Sequence, residues 1–350
     1  MRSFTALLLG LATTVAFQVP AHAQDISARG ADIRIGGRLH SQYSASSVAA
    51  AESDFFFRRA RLIADVTVTD LLDARMQTDF AGGKAAVQDA YLRFKFSPGF
   101  RVSMGQFKRA FDLFELSSST DLSLIERDGR VEGVGGCEGV GGACSYSRLT
   151  EKLAYAGRDA GVRIDGSSGK VAWVASITNG TGINTSDEND TKSMSGRLTL
   201  AATDAVTLGA NLASHDYVAD GDNERGSAWG FDFEYGGWRS GFHFQAAVAG
   251  GDNWKSLDAN GTPASFMTFQ GVASYYVPIE GGNWAGVEPL LRVSQADPNS
   301  DMVDDGGLIF TPGLMMYVSG KNKIGVNLDV FTPESGDTEF SFKIQSFLYF

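Results

Sequence analysis

The densest positive charge in the chain is the run Phe55-Phe56-Phe57-Arg58-Arg59-Ala60-Arg61-Leu62. Guanidinium groups stay charged at any physiological pH, so this cluster is suited to attracting anions rather than moving protons. Arg34 and Arg38 precede it, and Arg75, Arg93, Lys95 and Arg101 follow. Asp65, Asp73, Asp79 and Asp89 are interleaved with them. Hydrolytic chemistry is harder to assemble, because it needs a nucleophile paired with a base. Beyond residue 23 the histidines are His40, His215 and His243, none beside an obvious serine motif. No enzyme and no cofactor are expected.

Charges spaced in this way need strands to position them. In residues 33–43, Ile33, Ile35, Gly37, Leu39, Ser41 and Tyr43 share one face, and Arg34, Gly36, Arg38, His40 and Gln42 share the other. A β-strand sends alternate residues to opposite sides, so one face is apolar and one polar. The pattern recurs at 87–96, 206–215 and 229–235. With apolar faces outward, the bases and acids above line an interior. Against lipid each would cost several kcal/mol near the midplane. Arg59 and Arg61 share the interior parity, whereas Arg58 has the parity of Ala60 and Leu62. Arg58 is expected either at the rim, snorkelling to water, or turned inward by a bulge. Later strands supply Asp232, Glu234, Glu288, Asp329 and Glu339 with fewer bases, Arg163, Arg197, Arg292 and Lys343. A basic wall is thus expected to face a more acidic one.

Residues 1–23 read as a secretory signal peptide: Arg2, an apolar stretch from Phe4 to Val19, then Ala21-His22-Ala23. The mature chain is expected to begin at Gln24 and to form one domain, 24–350. After the signal no apolar run is long enough for a membrane helix. Mean hydropathy is −0.10, the value a soluble protein would show, but alternating lipid-facing and lumen-facing residues average to the same figure. The formal charge of −11 argues against nucleic acid as a partner, since that needs a basic footprint. Cys137 and Cys144, in CEGVGGAC, form a close even pair that in an exported chain reads as a loop disulfide. A metal or redox pair lacks nearby histidines and the two-residue spacing, so no metal is expected.

Short connections near 69–70, 97–99, 166–169, 202–204, 236–237, 278–283 and 319–322 alternate with longer polar ones near 44–54, 81–86, 108–157, 180–191, 217–227, 250–265, 296–306 and 332–338. About sixteen strands lie between them, with both termini on one side. The fold class is therefore an all-β, transmembrane, antiparallel β-barrel in the cell outer membrane, with lipid around it. Residues 308–318 are the weakest strand, because apolar residues occupy both faces. The last strand ends on Phe350, which resembles the signal read by the outer-membrane assembly machinery. A barrel of this size holds water, which suits a passive channel for small polar or anionic solutes. The segment from Lys108 to about Gly157 is too long for a simple loop. Phe111, Leu113, Phe114, Leu116, Leu122, Leu124 and Ile125 predict that it packs, either folded inward as a constriction or laid over the mouth as a lid.

Three segments, FFFRRARL (55–62), DAYLRF (89–94) and GQFKRAFDLFELSSSTDLSLIERD (105–128), resemble the phosphate-selective porin O and P family. The resemblance is specific over about residues 31–165. It implies sixteen strands, a homotrimer, a third loop folded into the pore, and basic side chains that bind phosphate or other anions at the constriction. Carried over by motif, these are Arg58, Arg59, Lys108 and Arg127, with Glu126 beside the last and Arg38 at a matching place on the first strand. Arg61 and Arg93 join them as pore-lining bases by parity. The family's arginine ladders and lysine tracks toward the mouths have no equivalent here. The later loops are instead acidic: DENDTK (187–192), DGDNER (220–225) and DPNSDMVDD (297–305). An alternative is a structural or adhesive barrel whose acidic loops bind cations or partners, although DGDNER lacks the full spacing of a calcium loop.

Overall fold

A computed structural model describes residues 24–28, 30–135, 145–187, 189–219, 221–257 and 261–350. The signal peptide expected over 1–23 and the cysteines Cys137 and Cys144 lie outside the described residues. The alternation is realised as strands β1 (Ala31–Ser46), β2 (Asp54–Thr67), β3 (Leu72–Asp79), β4 (Ala86–Ser97), β5 (Phe100–Lys108), β6 (Arg158–Ser168), β7 (Val171–Thr178) and β8 (Ser193–Ala201). They continue as β9 (Val206–Ala219), β10 (Asp222–Tyr235), β11 (Phe242–Leu257), β12 (Pro263–Tyr275), β13 (Gly286–Asp297), β14 (Gly307–Ser319), β15 (Asn322–Pro333) and β16 (Glu339–Tyr349). Each pairs antiparallel with its sequence neighbours. The ring closes where β16 meets β1, from Ser341 opposite Ser46 to Tyr349 opposite Arg38. Val277–Pro278 carries the β12 edge further along β13. A short strand, Gln24–Ala28, pairs with Ala31–Ile35 beyond the end of β16.

Burial is inverted relative to a water-soluble β-sandwich, which hides apolar residues between its sheets. Here Phe55 is 79% exposed, Leu212 68% and Met104 66%, while His40, Gln270 and Glu288 are fully buried. Such an apolar exterior over a polar interior is stable only with lipid outside. Near the turn that joins β4 to β5, Phe94, Phe96, Phe100 and Trp173 form a chain of neighbouring rings on the outside, as expected at a membrane interface.

Two expectations need correction. Residues 217–227 and 250–265 are not long loops: β9 and β10 run out to Ala219 and Asp222, and β11 and β12 to Leu257 and Pro263. Past the lipid both faces of a strand are wet, so polar residues lie on both sides and the alternation that marks a strand disappears. Arg58 follows the bulge alternative. Opposite β1 the register runs His40–Arg59 and then Ser41–Phe57, leaving Arg58 as the extra residue. The outward set accordingly changes from Phe55 and Phe57 to Leu62, and Arg58 and Arg59 both turn inward.

Residues 109–157 connect β5 to β6 and include two short helices, α1 (Leu113–Leu116) and α2 (Tyr146–Lys152). Asp112 caps α1, accepting the N–H groups of Phe114 and Glu115 at 2.8 and 3.2 Å. Phe111, Phe114, Leu124, Ile125, Tyr146, Leu149 and Leu153 form a dry cluster with Ala213, Ala228, Ala247, Ala249 and Ala296 on inward faces of β9, β10, β11 and β13. Small inward residues leave the space that these large side chains fill. The same contact explains why β14 is apolar on both faces: its inward Met315 and Tyr317 join this cluster, and Ile309 packs on Val131.

Candidate functional site

Neighbouring strands of the first wall place opposite charges directly across from one another. Arg61 opposes Asp79 and donates to it at 2.6 Å. Arg75 opposes Asp65 and bonds both its oxygens at 2.7 and 2.9 Å. Arg93 does the same to Asp73 at 2.9 and 3.0 Å, and Lys95 shares that carboxylate at 3.3 Å. Cross-strand pairs of this kind favour one register.

The bulge supplies a different arrangement. Arg59 grips Glu126 with two hydrogen bonds of 2.8 and 2.7 Å, and Arg58 lies 2.9 Å from the same carboxylate. Burial pushes the Glu126 carboxyl up, yet Arg58 and Arg59 together hold it well below the usual carboxylate range. Bidentate guanidinium–carboxylate bonds are the strong, geometrically specific kind. This contact fastens the 109–157 connection to β2. On the far wall Arg292 donates to the Glu126 and Arg127 carbonyls at 3.0 and 3.1 Å, Lys323 donates to the Leu122 carbonyl, and Lys343 donates to that of Arg130 at 2.5 Å. Glu288 accepts from Ser123 at 2.8 Å. The acids expected to face the basic wall are thus already engaged: Asp329 by Arg292 and Lys343, Glu288 by Ser123, Ser274 and Tyr317.

Between the connection and the wall from β1 to β8 lies a cavity of about 420 Å³. Arg38, Arg61, Lys108 and Arg127 line it, together with Arg75, Arg101, Arg158, Arg163 and Arg197. Eight of these nine bases touch six carboxylates: Asp79, Asp65, Asp165 twice, Glu115 twice, Asp89 and Asp232. Nine positive charges against six negative leave an excess of three. Arg38 is the ninth. It is buried, it donates to Ser119 Oγ and to Gln77 Oε1 at 3.3 Å, and among the described residues it has no carboxylate partner. Lys108 donates to the carbonyls of Glu115 and Ser117, and Arg127 to those of Phe114 and Ser117 at 2.8 and 2.7 Å. Glu115 stands 3.5 Å from Lys108 and 3.4 Å from Arg127. Burial pushes its carboxyl up, but Arg127 and Lys108 bring it down to about 2.

Of the site residues read from sequence, Arg38, Arg61, Lys108 and Arg127 meet at this cavity. Arg58 and Arg59 bind Glu126 instead, and Arg93 pairs with Asp73 outside the cavity lining. The reading missed Arg158, which lies directly across from Lys108 and is held by Asp89 at 2.8 Å. Like charges opposed across a ladder are destabilising, so their pairing marks a site. The residue opens β6, where a single boundary position carries no alternation. The histidines are lining: His40 meets Tyr349 Oη at 3.0 Å and His243 meets Glu234 at 3.2 Å. His215 lies 3.2 Å from Ser193, but both are buried and no carboxylate orients the imidazole among the described residues.

Comparison with known proteins agrees with this architecture. The phosphate-selective porin O and P family model matches residues 33–230. No curated relative matches the chain. The outer membrane channel DcaP of Acinetobacter baumannii superposes with a TM-score of 0.65 at 14% identity, covering 94% of this chain and 100% of that one. Salmonella typhi OmpF, in complex with daunomycin, gives 0.61 at 14%, covering 93% and 100%. A trimer form of Vibrio cholerae OmpT gives 0.59 at 12%, covering 92% and 100%. At these identities the structures speak to fold alone, but the family match spans more than half of the sequence. The chain belongs to the phosphate-selective porin O and P family, the β-barrel channels through which small solutes cross the outer membrane.

Proposed function

We propose that this porin is a passive, anion-preferring diffusion channel whose selectivity is set in the cavity between the 109–157 connection and the β1–β8 wall. The connection acts as the constriction, and Arg38, Arg61, Lys108, Arg127 and Arg158 attract and guide the anion. The observation that carries this reading is the excess of three positive charges at the cavity, with Arg38 lacking a carboxylate partner among the described residues. In a water-filled, low-dielectric passage such an excess raises the local anion concentration. The acidic extracellular loops oppose multiply charged anions, but salt screens them beyond about 8–10 Å. Small oxyanions, phosphate included, fit the lining. The functional unit is proposed to be a homotrimer, a reading supported by the family resemblance and by the trimer form of the Vibrio cholerae protein. Export by residues 1–23 and recognition of the Phe350 strand by the assembly machinery complete the proposal. Purified protein in a planar bilayer is expected to give stepwise conductance that falls when phosphate is added to chloride. Absence of conductance steps would refute the channel reading.

A further inference from the structure

The acidic connection from Asp297 to Asp305 joins β13 to β14 at the barrel rim away from Phe350, and its side chains turn back on the loop. Asn299 donates its backbone N–H to Asp297 Oδ1 at 3.2 Å, and Asp301 donates its own to Asn299 Oδ1 at 3.1 Å. The segment is fastened to the β11–β12 hairpin, with the Pro298 carbonyl accepting from Asn253 Nδ2 at 2.7 Å and Ser300 N–H donating to the Ser265 carbonyl at 2.7 Å. It ends on Asp305, which is 2% exposed and accepts no hydrogen bond of ordinary geometry on either carboxylate oxygen. Asp305 faces more acid. Burial, then Asp297 and Glu334, push its carboxyl up to about 6. Glu334 comes from the next connection at the same rim, between β15 and β16. Its carboxylate accepts the Gly306 N–H at 3.3 Å, and its own N–H donates to the Gly306 carbonyl at 3.0 Å.

A carboxylate withdrawn from water without a counter-charge is strongly unfavourable. No basic residue is ion-paired with Asp297, Asp305 or Glu334 among the described residues. We propose that this rim pocket binds one Ca²⁺ through Asp297, Asn299, Asp305 and Glu334, and that the ion staples two neighbouring extracellular connections together. The donors are all oxygen, which selects a hard cation. Asp297, Asn299, Asp301 and Asp305 fall at the first, third, fifth and ninth positions of a calcium loop. The sixth position is Met302 rather than glycine and the twelfth is Leu308 rather than glutamate. The missing carboxylate comes instead from Glu334, across the loop boundary. Among the described residues no three acidic or imidazole side chains already converge at ligand spacing. Binding therefore draws in Glu334, which is exposed and whose carboxylate lies over the bare Cα of Gly306. A flexible, irregular oxygen site of this kind favours Ca²⁺ over the smaller, strictly octahedral Mg²⁺.

The test is calorimetric titration of the purified, EDTA-stripped barrel with CaCl₂, and separately with MgCl₂. One saturable Ca²⁺ per chain is expected, with weaker Mg²⁺ binding. Asp305→Asn should abolish it, and Glu334→Gln should weaken it at least about tenfold through loss of one charged ligand. Asp187→Asn, at another rim carboxylate already paired with Lys192, should leave it unchanged. Heat-modifiable mobility and unchanged conductance show that each variant is folded. If Asp305→Asn does not fold, the exposed Glu334→Gln carries the test. No saturable Ca²⁺ in the unaltered protein, or unaltered affinity in both loop variants, overturns the proposal.

Discussion

The first eight strands and the last eight line one lumen but use it differently. From β1 to β8, long charged side chains reach into open space, and at the cavity the cations outnumber the carboxylates they touch. From β9 to β13 the inward positions include Ala213, Ala228, Ala247, Ala249 and Ala296, and the room they leave is filled by Phe111, Phe114, Tyr146, Leu149 and Leu153. Farther on, Arg292, Lys323 and Lys343 spend their hydrogen bonds on backbone carbonyls of the same connection. One half of the barrel is therefore a lining and the other a socket. Inward charge confers selectivity only where nothing covers it, so counting charges by strand parity overstates the acidic wall.

Removing the connection should erase this difference most completely. Replacing residues 113–152 with a short glycine linker is expected to leave the barrel folded, raise single-channel conductance severalfold and reduce ion selectivity. Unchanged conductance would mean that the connection does not narrow the passage. The next largest effect is expected from Glu126→Gln, which leaves Arg58 and Arg59 without their shared carboxylate. Breaking a buried pair costs about 3–5 kcal/mol, so the connection should loosen and the open channel become noisier. The two released guanidiniums should also increase anion preference, as read from the reversal potential.

The socket can be tested from the other side. Ala249 is fully buried beneath the connection, and Ala249→Phe should overpack the contact at a cost of about 1–3 kcal/mol. Increased current noise with little change in selectivity is expected, because no cavity charge is altered. A smaller effect belongs to acid. The folded Glu115 carboxyl titrates at about 2, below its ordinary 4.5, so its support of the connection is complete above pH 4.5 and is lost as pH falls through about 2. Channel noise that rises across that window should lose this component in Glu115→Gln, and an unchanged rise in that variant would assign it elsewhere.

Much of this was legible in the sequence, for physical reasons that also mark where legibility ends. Lipid on one side and water on the other enforce alternation, so strands such as β1 and β4 declare themselves. The hairpin at 217–227 stands clear of lipid and reads as a loop. The bulge at Arg58 was one of two readings that parity allowed, and only the register against His40 and Ser41 decides between them. The basic residues of the first strands were visible, but not which would be consumed. Arg59 and Arg61 share one face of β2, yet Arg59 ends on Glu126 and Arg61 at the cavity, because a carboxylate 67 positions away in sequence folds back onto the first. The socket was unreadable because inward alanines look like any small residues until something fills the space above them.

The most direct measurement is the reversal potential of the channel in a KCl gradient, for the unaltered protein, Arg38→Gln and Arg93→Gln. If selectivity is set at the cavity, the unaltered channel prefers chloride, Arg38→Gln moves the potential toward zero, and Arg93→Gln, which alters a base paired with Asp73 outside the cavity lining, moves it little. A cation-selective unaltered channel, or equal shifts from both replacements, would contradict it.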